Sequence, residues 1–187
     1  MPQPETHGVA QEASEMPVQA ARPNRVEALA GAIRALDKAE RRGDLASLRR
    51  LDADAPDAPA FFRIVVKVAP DVTAAELRRY AQFLQILALK PDVLSSGSFG
   101  AAMAEAEVSE GRVQKLLSAR RPALSEQLRL IARRLANAGK LPYRQIGDLI
   151  LIDDEDGEYA ENIRLRIARD YWRALDRAEV STPSPGT

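Results

Sequence analysis

The chain has 187 residues, enough for one domain or for one domain with a small appendage. It carries 27 basic and 27 acidic residues, so its formal net charge is zero and any binding to a polyanion must depend on local basic patches. Cysteine is absent from the sequence, which excludes disulfides, thiolate metal sites and a cysteine nucleophile.

Composition also predicts the compartment and the class of fold. No run of about 18 apolar residues occurs, which predicts no membrane-spanning helix, and the N-terminus lacks the basic and apolar blocks of a signal peptide. Together with the missing cysteine, these features predict a cytoplasmic protein. Aromatic residues make up only 5%, and because strands draw on aromatic and β-branched residues, this favours an all-α fold.

The two ends of the chain differ in composition from the rest. Residues 1–23 are rich in Gln, Glu, Pro and Ala without a period and predict a disordered leader, and residues 179–187 predict a disordered tail. Residues 24–178 predict a single all-helical domain. A division into two helical subdomains near residues 91–98 is the alternative.

The first helices are predicted from apolar residues at helical spacing. Asn24 is expected to cap a helix that ends at Gly43, and Asp44 to cap a short helix from Leu45 to Leu51. Residues 61–66 (FFRIVV) are ambiguous, because their β-branched residues are typical of a strand. A buried helix is favoured, since no partner strand is evident elsewhere.

Helical signals continue through the second half of the chain. A capping box of Thr73 and Glu76 predicts a central helix that runs to about residue 89, where Pro91 follows. Short helices are expected around 99–106 and 109–119. A strongly amphipathic helix runs from Pro122 to Gly139, and two more follow Pro142 and residue 157. The prediction is a compact multi-helix bundle of about eight or nine helices.

The residues needed for common catalytic sites are missing. His7 is the only histidine, which excludes histidine metal sites and a Ser-His-Asp arrangement. The acidic run at 153–158 fails as a calcium loop, because Ile152 and Ile163 occupy its first and twelfth positions. We therefore predict no enzyme, no metal and no cofactor. An unrecognised carboxylate site is the least favoured alternative.

Three helices carry one-sided rows of basic residues that could neutralise phosphates without reading bases. The rows are Arg34, Lys38 and Arg41; Arg129 and Arg133, with Arg134 to one side; and Arg166, Arg169, Arg173 and Arg177. An amphipathic helix must also place polar residues outside, and for any single row this simpler interpretation is favoured.

Six short segments, read together, resemble a known family. They are residues 48–50 (LRR), 59–64 (PAFFRI), 98–103 (SFGAAM), 110–117 (EGRVQKLL), 127–129 (QLR) and 167–172 (IARDYW). In this order and spacing the chain resembles CasB, the small subunit of the type I-E CRISPR surveillance complex Cascade, over about residues 25–177.

This resemblance implies an all-α, non-catalytic antiviral-defence subunit that pairs head to tail with a second copy and bridges the large and backbone subunits of Cascade. Its basic faces would hold the backbones of CRISPR RNA and target DNA without sequence specificity, stabilising the RNA–DNA hybrid and the displaced strand of the R-loop. The alternative is a helical protein–protein adaptor with little nucleic-acid binding of its own.

The resemblance also implies which residues contact phosphates. Basic positions of the family motifs fall on Arg50, Arg112 and Arg129. Helical spacing adds three neighbours without motif support: Lys115, Arg133 and Arg134. The phenylalanines of these motifs are expected in the core: Phe61, Phe62 and Phe99.

Three positions depart from the family pattern, because Ala101, Ser118 and Asp148 stand where a basic residue is common. Each departure removes a potential phosphate contact, in keeping with the zero net charge.

Overall fold

The computed structural model describes residues 18–151 and 157–181. Residues 1–17 of the predicted leader, most of the acidic run (152–156) and residues 182–187 of the predicted tail lie outside the described residues. The described residues form nine α-helices, which confirms the predicted all-α class: α1 (Val18–Lys38), α2 (Arg42–Arg49), α3 (Pro59–Val68), α4 (Ala74–Leu87), α5 (Phe99–Glu105), α6 (Glu110–Ser118), α7 (Ala123–Asn137), α8 (Arg144–Leu151) and α9 (Gly157–Ser181).

The junction of α1 and α2 differs from its prediction. Helix α1 begins at Val18, so Asn24 lies within it and is not its cap. It ends at Lys38, where Glu40 adopts a left-handed φ of 54° and the Arg41 amide donates to the Leu36 carbonyl. Gly43, the predicted terminator, instead lies in the first turn of α2. A non-glycine residue in the left-handed conformation ends this helix, and propensity alone does not indicate that outcome.

The ambiguous segment at residues 61–66 is helical, as favoured, and belongs to α3. The predicted capping box opens α4, where the Thr73 amide donates to Glu76 Oε2 at 2.9 Å. Helix α4 buries Phe83, Leu84 and Leu87 completely and therefore lies at the centre of the core. One contiguous core cluster joins residues of all nine helices.

A short parallel pairing, which sequence patterns did not indicate, connects two loops. Strands β1 (Leu94–Ser95) and β2 (Leu141–Pro142) pair in register Leu94 with Leu141, and the Tyr143 amide donates to the Ser95 carbonyl at 3.0 Å. Two residues on each strand do not change the fold class. The pairing attaches the turn after α7 to the segment that leads into α5.

Helices α5 and α9 make the most extensive contact between two helices in the described structure. Gly100 of α5 lies against the backbone of α9 at Ile167 and Tyr171, where no side chain would fit. Phe99 and Met103 of α5 are fully buried beside it. Among the described helices, none is both long enough and apolar enough to cross a membrane.

Candidate nucleic-acid interface

A groove between α6 and α7 brings together three of the six predicted contact residues: Arg112, Lys115 and Arg134. On α6, the buried residues Val113 and Leu116 face the core, so Arg112 and Lys115, each one position earlier, share a neighbouring exposed face. The groove has a volume of about 280 Å³. We call it the α6–α7 groove.

The floor of the α6–α7 groove is apolar and its rim is basic. Besides the three cations, its lining consists of Val108, Gln127, Leu130 and Ile131. No carboxylate is among these lining residues, so three cations lie together here although the positive and negative charges of the chain balance. A local excess of cations in a concave surface attracts anions despite zero net charge.

Arg134 has a structural role that the sequence did not reveal. Its Nε donates to the Ala106 carbonyl at 2.8 Å and its Nη2 to the Glu107 carbonyl at 2.9 Å. These carbonyls lie where α5 ends, so the guanidinium satisfies them and complements the helix dipole. The two bonds hold Arg134 in place at the groove. Its Nη1 has no bonding partner in the described part of the chain.

Arg129 lies in a different groove, although it shares α7 with Arg134. The two residues are five positions apart, or about 140° around a helix, and Arg129 faces the loop after α2 and helix α4. Carboxylates of Asp52, Asp54 and Glu126 line that groove of about 290 Å³. The Nε of Arg129 is buried and has no hydrogen-bond partner within the described residues. The mixed charge makes this groove a weaker anion site than the α6–α7 groove.

The remaining two predicted contacts are exposed and lie in neither groove. Arg50 follows the last turn of α2, where its amide donates to the Ser47 carbonyl at 3.2 Å. Arg133 lies on the outer face of α7, about 100° from Arg134. The structure therefore divides the six predicted residues among several surfaces and assembles three of them.

Several arginines elsewhere bind protein groups, which sequence patterns alone did not show. Arg34 donates to the Leu94 carbonyl at 3.1 Å and lies 5.0 Å from the centroid of the Tyr143 ring. Arg41 pairs with Asp44 at 2.8 Å. Two members of the basic row on the first helix segment are thus engaged within the fold, which favours the simpler interpretation for that row.

The structure shows the surroundings of the three residues that depart from the family pattern. Ser118 is exposed and donates through Oγ to the Lys115 carbonyl at 3.3 Å. The amide of Ala101 donates to Ser98 Oγ, which caps α5. Asp148 lines a polar cavity of about 450 Å³ with Arg144, Arg166 and other residues. Burial raises the pKa of the Asp148 carboxyl, and the two arginines offset this shift only in part.

Asp148 predicts a specific pH dependence of stability. Because its folded pKa is raised, the folded state binds the proton more readily, and stability falls as pH rises from the ordinary value of 3.8 through the raised one. Asp148→Asn removes that loss. We expect it to raise the melting temperature at pH 7 by about 2 °C, with the difference from the parent shrinking at pH 4. A difference that is equal at both pH values would contradict this explanation.

The acidic side chains of the described residues do not form a metal site. No group of three or more His, Cys, Asp or Glu side chains that could hold a metal ion occurs within 18–151 and 157–181. Across the cavity from Asp148, Asp170 accepts a hydrogen bond from Ser98 Oγ at 2.7 Å and supports the start of α5. This contact gives Asp170 a structural role.

Comparisons with known proteins add independent findings. The family model for CRISPR-associated protein Cse2 matches residues 44–172, more than half of the chain. A chain in the crystal structure of E. coli Cascade bound to a PAM-containing dsDNA target is similar, with 21% identity, a TM-score of 0.61, and coverage of 81% of this chain and 96% of that one. The crystal structure of M. ruber CasB gives 20% identity, a TM-score of 0.58, and coverage of 75% and 90%. Among curated proteins, none matches the sequence. At these identities, the two structures show a shared fold.

Proposed function

We propose, from the premise that this chain belongs to the Cse2 (CasB) family of CRISPR-associated proteins, that it is a non-catalytic small subunit of a type I-E Cascade complex. In that complex it binds the backbones of CRISPR RNA and target DNA, stabilising the hybrid and the displaced strand. It does so beside the large and backbone subunits and a second copy of itself, paired head to tail. Base pairing supplies the sequence specificity, so the subunit needs only backbone contacts.

The observation that carries this proposal is the α6–α7 groove. Arg112 and Lys115 lie on one wall and Arg134 on the other, with no carboxylate among the lining residues. Cations in this arrangement neutralise phosphates at any sequence. Arg50 and Arg133 are exposed and provide further backbone contacts outside the groove, while Arg129 contributes beside the carboxylates of its own groove.

The salt dependence of binding tests the proposal. We expect the full chain to bind single- and double-stranded DNA with an association constant K whose logarithm falls linearly with the logarithm of the salt concentration. Arg112→Ala should reduce the steepness of that line by about 1 and weaken binding to all sequences alike. The measurement is fluorescence anisotropy with labelled DNA across a salt series.

Arg42→Ala is the matched control, because Arg42 is exposed in the first turn of α2 and does not line the α6–α7 groove. It removes the same charge from another surface, so it should leave the slope nearly unchanged. Binding that does not depend on salt would contradict phosphate contacts. An equal effect of the two variants would show that net charge, rather than the groove, sets the affinity.

A second candidate function, a helical adaptor with little intrinsic nucleic-acid binding, rests on α3. Phe62 and Val66 lie one turn apart on this helix and are 42% and 64% exposed. This apolar patch could bind another protein. The adaptor predicts co-purification with larger subunits and no DNA binding by the isolated chain, whereas the leading proposal predicts salt-sensitive DNA binding.

A further inference from the structure

We propose that the α6–α7 groove holds one unpaired nucleobase against Leu130 while Arg112 and Lys115 bind the phosphates beside it. This inference rests on the proposed function and deepens it, because it names single-stranded nucleic acid as the ligand of this groove. Leu130 would then distinguish an unpaired strand from a duplex.

Leu130 is an unusual residue for its position. It is 53% exposed on α7, while its neighbour Ile131 and Val108 across the groove are buried. It lies outside the stripe of Leu124, Leu128 and Leu135 that packs in the core. Covering an exposed leucine with a ligand removes apolar surface from water and favours binding. Here the leucine surface forms the floor between the basic walls of the groove.

The size of the groove suits a single base. Its volume of about 280 Å³ lies just below the range of about 300–1,000 Å³ that is typical of pockets for drug-sized ligands. A planar base fits such a space, whereas a base pair within a stacked duplex does not enter it. A duplex would have to expose a base by flipping, which costs a few kcal/mol.

Gln127 adds a polar group that suits any base. It lines the groove, and its side-chain amide has no hydrogen-bond partner among the residues that the structure describes. An amide both donates and accepts, so it can pair with the edges of purines and pyrimidines alike. This tolerance fits a subunit that does not read sequence.

The charges favour nucleic acid over an acidic peptide as the occupant. Arg112 and Lys115 lie on the α6 wall, and Arg134 is held on the α7 wall by two carbonyls. Cations on both sides of one apolar floor match a chain in which a phosphate precedes and follows each base. An acidic peptide is the competing occupant and is included in the test.

The experiment measures anisotropy of the full chain with three labelled probes of 20 nucleotides: single-stranded oligo-dT, a duplex, and an abasic strand with the same backbone. Leu130→Ala should weaken binding to oligo-dT about five- to tenfold and leave the abasic and duplex affinities unchanged. Leu165→Ala, which alters another exposed leucine on α9, is the matched control and should change none of them.

Each outcome decides the proposal. An equal loss on oligo-dT and the abasic strand, or no loss on either, would overturn it, because Leu130 would then not contact a base. Stronger competition by poly-glutamate than by oligo-dT, lost in Leu130→Ala, would assign the groove to an acidic peptide. Arg112→Ala tests the proposed function separately from the base contact of Leu130. It should weaken the binding of all three probes, and unchanged binding would contradict the proposed function itself.

Discussion

Replacing Gly100 by alanine is expected to lower the free energy of unfolding by about 3 kcal/mol, the upper part of the range for overpacked sites. A Cβ at this position would overlap the Ile167 carbonyl oxygen and lie 2.8 Å from the Tyr171 amide nitrogen and 2.9 Å from Asp170 Cβ. Two of these three atoms belong to the backbone of α9 and cannot rotate away. Helix α5 must therefore separate from α9. Urea denaturation followed by circular dichroism measures the change.

Gly111→Ala is the matched control for this substitution. Gly111 lies in α6, and a Cβ built there meets nothing within 4 Å. Alanine has the higher helix propensity, so stability should stay the same or rise by about 0.5 kcal/mol. Equal stability of the two variants would show that α5 and α9 adjust to the extra methyl group, and the close approach would not limit stability.

The effect of Gly100→Ala should reach the α6–α7 groove through the turn after α5. Arg134 donates to the carbonyls of Ala106 and Glu107 in that turn, and Tyr171 Oη donates to the Val108 carbonyl at 2.6 Å. A displaced α5 moves these carbonyls and the groove wall with them. The packing of α5 against α9 thus supports the geometry of the groove between α6 and α7.

Helices with a strong apolar period were predictable from sequence, and their ends were less so. Helix α7 and the capping box of α4 depend on interactions within one or two turns, which the sequence displays directly. The end of α1 depends on Glu40 in a left-handed conformation at the junction with α2, and no local sequence pattern indicates this conformation. The β1–β2 pairing joins residues 47 positions apart and had no local signal.

The candidate site was predictable only in part, because helical period tells which residues are exposed but not which helix lies opposite. Arg112 and Arg134 come from different helices, and only the packing of α6 on α7 brings them to one groove. Arg129 satisfied the same sequence criteria and lies in another groove. Leu130 was missed, although an apolar residue between Arg129 and Arg133 on a polar face was a signal.

The expectation that all three motif phenylalanines lie in the core was wrong for one of them. Phe61 and Phe99 are fully buried, whereas Phe62 is 42% exposed and touches the Phe61 ring edge to face, with centroids 5.1 Å apart. Adjacent residues on a helix point about 100° apart, and Phe62 lies on the side of α3 where Arg63 and Val66 are also exposed. Phe62 instead contributes to the apolar patch on α3.

Reversing both charges on the α6 wall, Arg112→Glu with Lys115→Glu, is expected to weaken DNA binding by about 100-fold at low salt. Each lost charged contact accounts for about 1.5 kcal/mol, and about 3 kcal/mol corresponds to that factor. Both residues are exposed and have no side-chain ion pair within the described part of the chain, so the fold should be retained. Anisotropy at about 50 mM salt measures the affinity, and thermal melting checks the fold.

The same double variant separates backbone binding from a purely adaptor role when it is assembled with the other Cascade subunits. If the groove binds nucleic acid, the variant enters the complex normally, and target DNA dissociates faster than from the parent complex, because most losses of interface contacts appear in the dissociation rate. Arg42→Glu with Lys67→Glu provides a control of equal charge change at exposed residues of α2 and α3. Unchanged DNA release with the groove variant, together with normal assembly, would favour the adaptor. Equal acceleration by both pairs would assign the effect to overall charge rather than to the α6–α7 groove.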